Sequence, residues 1–313
     1  MNNDEITVVI PYYNDSCRIK KCIRSVLKQT LAPKEIILID DASDDSSDLQ
    51  EILAIIDFKS VKFKCIRNKK NMNGAYSRNL GMGQAVGGYV ALLDADDYWR
   101  PDHLKESCDF LTKHAADFIY SNKVCEGPKY TYIKKSTDIF DCINKSDILL
   151  MSPPQTNSFF FKREVFNVVK FDEELRRHQD YQFLLDVVNA DLYVKYNDVN
   201  TAVYTESHRP VGQRYQIDNS LSFWEARCLS FSPVMFRRKL VELMIIYLEV
   251  DPSGFNETMN KKEMYGFVTK SLVFGFLFKI RKVSPTLFKS ILKIVYLHDF
   301  SFIVKTIIRK KIE

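Results

Sequence analysis

Four short runs rich in β-branched residues, separated by helix-length segments, constrain this chain more than any other feature. Residues 6–10, 35–39, 61–66 and 89–93 read as strands, and 15–29, 46–56 and 74–86 as helices. Strand–helix–strand alternation at this spacing predicts an α/β fold with a mostly parallel central sheet and helices on both faces. In such sheets ligands collect at the carboxyl ends of the strands. The residues that follow each strand therefore carry the functional information.

Those residues are acidic. The first strand runs into Pro11-Tyr12-Tyr13-Asn14-Asp15, the second into Asp40-Asp41-Ala42-Ser43-Asp44-Asp45 and the fourth into Asp94-Ala95-Asp96-Asp97. Carboxylates gathered on one rim repel one another unless a cation or hydrogen-bond donors sit among them. An Asp-x-Asp at a strand end suits a hard divalent ion such as Mg²⁺ or Mn²⁺, which takes carboxylate oxygens and keeps positions open for substrate phosphates. A solvated acidic turn would carry the same residues, so the pair alone does not decide. Gly81-x-Gly83 and Gly87-Gly88 do not form a dinucleotide fingerprint, because they fall within and after a helix rather than at its opening.

Composition narrows the class. With 313 residues the chain has room for one large domain or two ordinary ones, and 10 Gly and 10 Pro exclude a collagen-like or low-complexity chain. No apolar stretch approaches the ~18 residues of a membrane span, and acids stand where a signal peptide needs bases. Seven scattered cysteines without a C-x-x-C pair predict reduced thiols and a cytoplasmic setting. The net charge of +5 hides an asymmetry. Residues 237–313 hold 15 Lys+Arg against 7 Asp+Glu, and the remainder 30 against 33.

The second stretch is less regular. Segments 102–114 and 178–190 look helical, whereas 117–121, 155–161 and 202–205 look like strands. Beyond Ser232-Pro233 the segments 237–249, 261–282, 286–297 and 301–311 read as basic, apolar helices. We therefore expect a body over 1–231, with halves 1–100 and 101–231, and a helical tail over 232–313. Such a tail suits an anionic membrane surface, packing on the body, or a homodimer contact. Nucleic acid is disfavoured, because no recognised binding module accompanies the charge.

Taken together, PYYND, ILIDDASDDSS, NGAYSRNLG and ALLDADD, in this order, resemble the nucleotide-sugar-binding half of family 2 glycosyltransferases. The resemblance is strong over residues 5–100 and continues more weakly to about 210. It implies a Rossmann-like GT-A fold and inverting transfer from a nucleotide donor, usually a UDP-sugar, to a glycan or lipid-linked saccharide. The implied location is the cytoplasm or the cytoplasmic membrane face. By this resemblance Pro11 and Tyr12 lie under the nucleotide, and Asp40 accepts from the base with Asp41 and Ser43 completing its turn. Arg78 and Asn79 lie near the diphosphate, Asp94 near the ribose and the metal, and Asp96 on the metal. Asp97 supports the loop. FDEELRRHQDY (171–181) resembles the segment that carries the general base, which places that role on Asp180, with Gln179 replacing the usual Glu. His208 falls where relatives carry a histidine loop against the diphosphate or metal, with Arg209 or Arg214 as phosphate clamps. Thr156 and Asn157 are candidates for acceptor hydroxyls. A nucleotidyltransferase would open with a glycine-rich loop, which Pro11–Asn14 lacks. A catalytically silent binding scaffold would not need the acids at 94, 96 and 180.

Overall fold

A computed structural model describes residues 5–206 and 217–250 of the chain. By contact they form two compact units, one of residues 5–139 and 151–206, the other of 140–150 and 217–250.

The first unit is a mixed α/β body around a nine-stranded sheet. Strands β1 (Ile6–Tyr12), β2 (Glu35–Asp40), β3 (Lys62–Arg67) and β4 (Tyr89–Leu92) alternate with helices α1 (Ser16–Leu27), α2 (Ser46–Ala54) and α3 (Gly74–Gln84). They run parallel in the order β3-β2-β1-β4, as the strand–helix alternation requires. All six residues of β2 are buried, and β1 is buried except at Pro11, which suits strands covered on both faces. Helix α1 turns Ile19, Cys22, Ile23 and Val26 to the core, the spacing of a single helical stripe.

Beyond β4 the sheet becomes mixed. It continues through β8 (Phe160–Lys162), β6 (Phe118–Glu126), β9 (Val194–Thr205) and the two-residue β5 (Tyr98–Trp99), while β7 (Thr131–Lys134) pairs with β6 alone. β8 lies antiparallel to both β4 and β6, and β6 lies parallel to β9. Helices α4 (His103–His114), the single turn α5 (Val165–Val168) and α6 (Gln179–Asn189) complete this unit. Phe183 of α6 stacks on Phe171 at 4.2 Å between ring centres and joins Phe118, Phe159 and Phe161 in one aromatic cluster. That cluster fixes where α6 begins.

Two expectations needed adjustment. The segment 155–161 is a strand only from Phe160; Thr156–Ser158 forms a 3₁₀ turn, with Ser158 Oγ donating to Gln155 O (2.8 Å). Short hydroxyl and amide side chains compete with strand pairing in this way. The strand expected at 202–205 begins much earlier, at Val194. Its middle is polar because Asn122 Nδ2 reaches across to Asp198 (2.7 Å) and Asn200 (3.0 Å), beside a bulge between Ser121 and Lys123. None of the seven cysteines takes part in a disulfide.

The second unit holds helices α7 (Ile217–Ala226) and α8 (Pro233–Val250), with a 3₁₀ helix at Lys145–Leu150 packed against α8. Asp147 caps this junction, accepting from Ser232 N (2.9 Å) and Asn144 N (3.0 Å). Phe223, Trp224, Phe231 and Phe236 are buried around it. The helix expected at 237–249 lies within α8. The three helices expected further on, with most of the basic tail, lie outside the described residues. No helix among the described residues is long and apolar enough to cross a membrane.

Candidate active site

The carboxyl ends of β1, β2 and β4, the start of α3 and the start of α6 meet on one rim. Each is locked by local polar bonds. Four of the chain's left-handed non-glycine residues lie on these loops: Asn14, Ala42, Asn73 and His178. Such backbones cost ~1–2 kcal/mol each and persist where surrounding bonds over-determine them.

At the first corner, Pro11 closes β1 opposite Ile39 and is half-buried. Tyr12 is buried with its hydroxyl on Asp45 (2.7 Å), and burial with that bond pushes its phenol above the ordinary range. Asp40 ends β2 almost wholly buried, accepting from Ser43 N (2.9 Å) and pairing with Arg67, which stands opposite it at the end of β3. Asp41 is turned the other way. Its two oxygens take Asn68 Nδ2 (2.7 Å), Met72 N (2.8 Å) and Asn73 N (2.8 Å), so it builds the loop that leads into α3.

Asn73 then caps α3, accepting from Ala75 N (2.8 Å) and Tyr76 N (3.2 Å). The cap aims Arg78 across the rim. Its guanidinium donates from Nη2 to Asp94 Oδ1 (2.6 Å) and from Nη1 to Gln179 Oε1 (3.3 Å), and the buried Nε has no protein acceptor. Asn79, the next residue, faces inward and clamps the Phe171 backbone through both its amide groups (2.8 and 3.0 Å).

The loop after β4 carries three aspartates in three environments. Asp94 is held by Arg78, and Asp96 faces Arg18 of α1 (3.3 Å). Desolvation and the charge of Asp94 raise the Asp96 carboxyl above the usual range, against the pull of Arg18. Asp97 is buried, taking Asn157 Nδ2 (2.9 Å) and Thr205 N (2.9 Å), and burial followed by the charges of Asp96 and Asp94 raises it well above that range. It thus ties the loop to the second half of the sheet. Among the described residues no cluster of three or more His, Cys, Asp or Glu side chains forms a ready-made metal cage. What Asp94 and Asp96 offer is a two-carboxylate site whose mutual repulsion a hard cation would relieve. Mg²⁺ is commonly held that way, with the remaining positions filled by water and phosphate. The residues therefore fit Mg²⁺ or Mn²⁺.

Asp180 stands in the first turn of α6, behind the left-handed His178. Desolvation raises its carboxyl; Arg78 and Lys123 pull it down, while Asp94 pushes it up. Asp180 shares one cavity of about 260 Å³ with Arg78, Asp94, Gln155, Thr156 and Gln179. The motifs separated by more than 80 residues thus converge on one space. His208, Arg209 and Arg214 lie outside the described residues.

The family model for glycosyl transferase family 2 matches residues 7–174. The chain belongs to this family. Among the curated relatives, the amylovoran biosynthesis glycosyltransferase AmsB of Erwinia amylovora is 28% identical over 193 residues, covering 59% of this chain and 64% of AmsB. The UDP-Glc:alpha-D-GlcNAc-diphosphoundecaprenol beta-1,3-glucosyltransferase WfgD of Escherichia coli is 30% identical over 122 residues, covering 39% of this chain and 47% of WfgD. The chain thus spans less than two thirds of either relative. The crystal structure of S. aureus TarS 1–349 in complex with UDP-GlcNAc superposes with a TM-score of 0.58 at 17% identity, over 96% of this chain and 91% of that one. That likeness is one of fold.

The family segment stops before Asp180. Sequence reasoning also passed over Arg18, Arg67 and Lys123. Arg67 was accessible in principle, since parallel register puts it beside Asp40. Arg18 sits in the first turn of α1 and reaches Asp96 only through the fold. Lys123 follows a bulge that no local pattern announced.

Proposed function

We propose that this family 2 member is a metal-dependent inverting glycosyltransferase. It moves a hexose or N-acetylhexosamine from a UDP-linked donor to a hydroxyl of a glycan or lipid-linked saccharide. One observation carries the reading: Arg78, Asp94 and Asp180 line a single cavity. The donor and acceptor classes are supported by WfgD, a UDP-Glc:alpha-D-GlcNAc-diphosphoundecaprenol glucosyltransferase, and by the UDP-GlcNAc complex of TarS.

In this reading Asp40, paired with Arg67, accepts from the base, and Pro11 and Tyr12 floor the nucleotide. Asp94 takes the ribose and shares a cation with Asp96. That cation, Mn²⁺ or Mg²⁺, supplies positive charge against the diphosphate. Asp180 takes the proton of the acceptor hydroxyl as its oxygen bonds to the anomeric carbon. The bond from that carbon to the diphosphate breaks on the opposite face, and the electron pair leaves with UDP. Arg78 holds Asp94 and pulls the Asp180 carboxyl down against the rise that burial imposes, which favours its ionised form. Such a base contributes about 10²–10⁴ in rate. His208 is proposed to face the diphosphate. The tail beyond residue 250 is proposed to lie on an anionic membrane surface or to pair two copies, on the strength of its charge.

The test is UDP release from UDP-glucose and UDP-N-acetylglucosamine, with and without Mn²⁺. We expect Asp180→Asn and Asp96→Ala each to lower turnover by about 10²-fold or more, while Asp180→Asn still binds UDP. Full turnover in both variants would refute the assignment. UDP binding without turnover of any donor would mark a silent scaffold.

A further inference from the structure

We propose that the hairpin joining β6 to β7 is a saccharide subsite, with Tyr130 and Tyr132 as a platform for a ring of the acceptor glycan. This rests on the glycosyltransferase reading and specifies where the acceptor lies. Tyr130 is 55% exposed and Tyr132 45%, with ring centres 6.0 Å apart. Both hydroxyls are tied to one carboxylate: Tyr130 donates to Glu206 Oε2 (2.7 Å) and Tyr132 to Oε1 (3.1 Å). The rings are thus ordered without being buried, so a ligand stacking on them meets a surface whose rotamer entropy has already been lost. Gly127 makes the tight turn possible. A Cβ there would stand 2.9 Å from a Tyr130 ring carbon, and Gly127 N donates to Tyr130 O (2.9 Å).

The chemistry of the hollow beside the platform suits a sugar. Its volume is about 520 Å³, and Glu126, Lys129, Tyr130, Thr131, Thr205 and Glu206 line it. That volume falls in the range of small-molecule pockets. A pyranose presents a face of C–H groups to the negative face of an aromatic ring and a rim of hydroxyls to carboxylate acceptors. With Glu126 and Glu206 against Lys129, the hollow is unsuited to a phosphate or other anion. It also adjoins the candidate site. Thr205 N donates to Asp97, next to Asp96, and Glu126 accepts from Tyr98 (3.0 Å), which follows the acidic loop. A glycan whose terminal hydroxyl reaches Asp180 can therefore extend its preceding residues toward the tyrosines.

The experiment titrates the full chain with neutral cello-, chito- and isomalto-oligosaccharides, followed by saturation-transfer NMR and calorimetry. Wild type is compared with the Tyr130→Ala/Tyr132→Ala double variant, and UDP release without acceptor is recorded for both. We expect at least one series to bind and the double variant to bind it about tenfold more weakly. Donor hydrolysis should stay within about twofold, since no residue of the hairpin lines the cavity of Arg78, Asp94 and Asp180. Failure of all three series to bind wild type, equal binding by the variant, or loss of donor hydrolysis in step with binding would overturn the subsite. A change of oligomeric mass in the double variant would also overturn it, by assigning the tyrosines to a protein contact. If saccharide binding persists while no UDP-sugar is turned over, the transferase reading fails and the subsite stands.

Discussion

Replacing Arg78 by Gln tests whether the acids at this site are balanced by the protein or left to repel. The guanidinium is 11% exposed and its partner Asp94 23%, with 2.6 Å between nitrogen and oxygen. With ~4 Å between charge centres and an effective dielectric of ~20, the attraction is about 4 kcal/mol. Desolvation of both groups and residual water lower the net loss on removal to ~1–3 kcal/mol. Arg78 also counts among the groups that lower Asp180, whereas burial and Asp94 raise it. Without the arginine, burial and Asp94 are opposed only by the Tyr181 N–H and Lys123, so the Asp180 proton is held more tightly. A base must be ionised to act, so the acid limb of the rate profile moves to higher pH. We expect kcat/KM at pH 7 to fall about 10–100-fold, with the deficit narrowing as pH rises. The assay is UDP release across pH 5 to 9. An unmoved acid limb together with near-normal activity at pH 7 would refute the balance argued here. A uniform loss at every pH would instead place Arg78 on the substrate alone.

Three further outcomes follow from the surroundings of the site. Asp41→Ala strands the Asn68 amide and the Met72 and Asn73 N–H groups, and should cost about 2–4 kcal/mol in urea unfolding; an unchanged midpoint would contradict this role. His103 is fully buried under Trp99 and its pKa is lowered to about 3 by burial. Between the unfolded value near 6.5 and about 3, only the unfolded chain takes the proton, so stability is full above 6.5 and is lost as pH falls. At pH 4.5 the loss should reach about 3 kcal/mol, and His103→Phe should flatten that dependence. Gly81→Ala places a Cβ 2.4 Å from Val9 Cγ1; overpacking should outweigh the gain in helix propensity and lower stability by about 1–2 kcal/mol in thermal melts.

The sequence disclosed most where physics is local. The four parallel strands and three helices of the first hundred residues announce themselves through period and turn residues, and the acids at their carboxyl ends follow from topology. Strand ends move by only a residue or two, as with β1, which extends through Tyr12. The second half was harder because its order comes from side chains acting across the sheet. β9 holds Asn197, Asp198 and Asn200 in mid-strand, residues that single-strand propensity rejects. They are stable there because Asn122 bonds to the last two from the neighbouring strand. β7 and β5 are too short for any periodicity, and the 3₁₀ turn at Thr156–Ser158 hides inside an apolar run.

The acids show the same division at the scale of one side chain. Seven aspartates in the clusters 40–45 and 94–97 look alike in sequence, and spacing alone cannot separate those that bind a ligand from those that build the loop. The fold separates them by their partners. Asp41 and Asp97 spend their oxygens on backbone and amide donors, which anchors the 68–73 loop and the end of β9. Asp94 and Asp96 face arginines from α3 and α1 instead. An arginine can follow a carboxylate when a cation or a diphosphate arrives, whereas a backbone N–H cannot. The rim is therefore rigid at Asp41 and Asp97 and adjustable at Asp94 and Asp96. That is the arrangement expected where two charges must be rebalanced once per turnover without moving the loops that carry them.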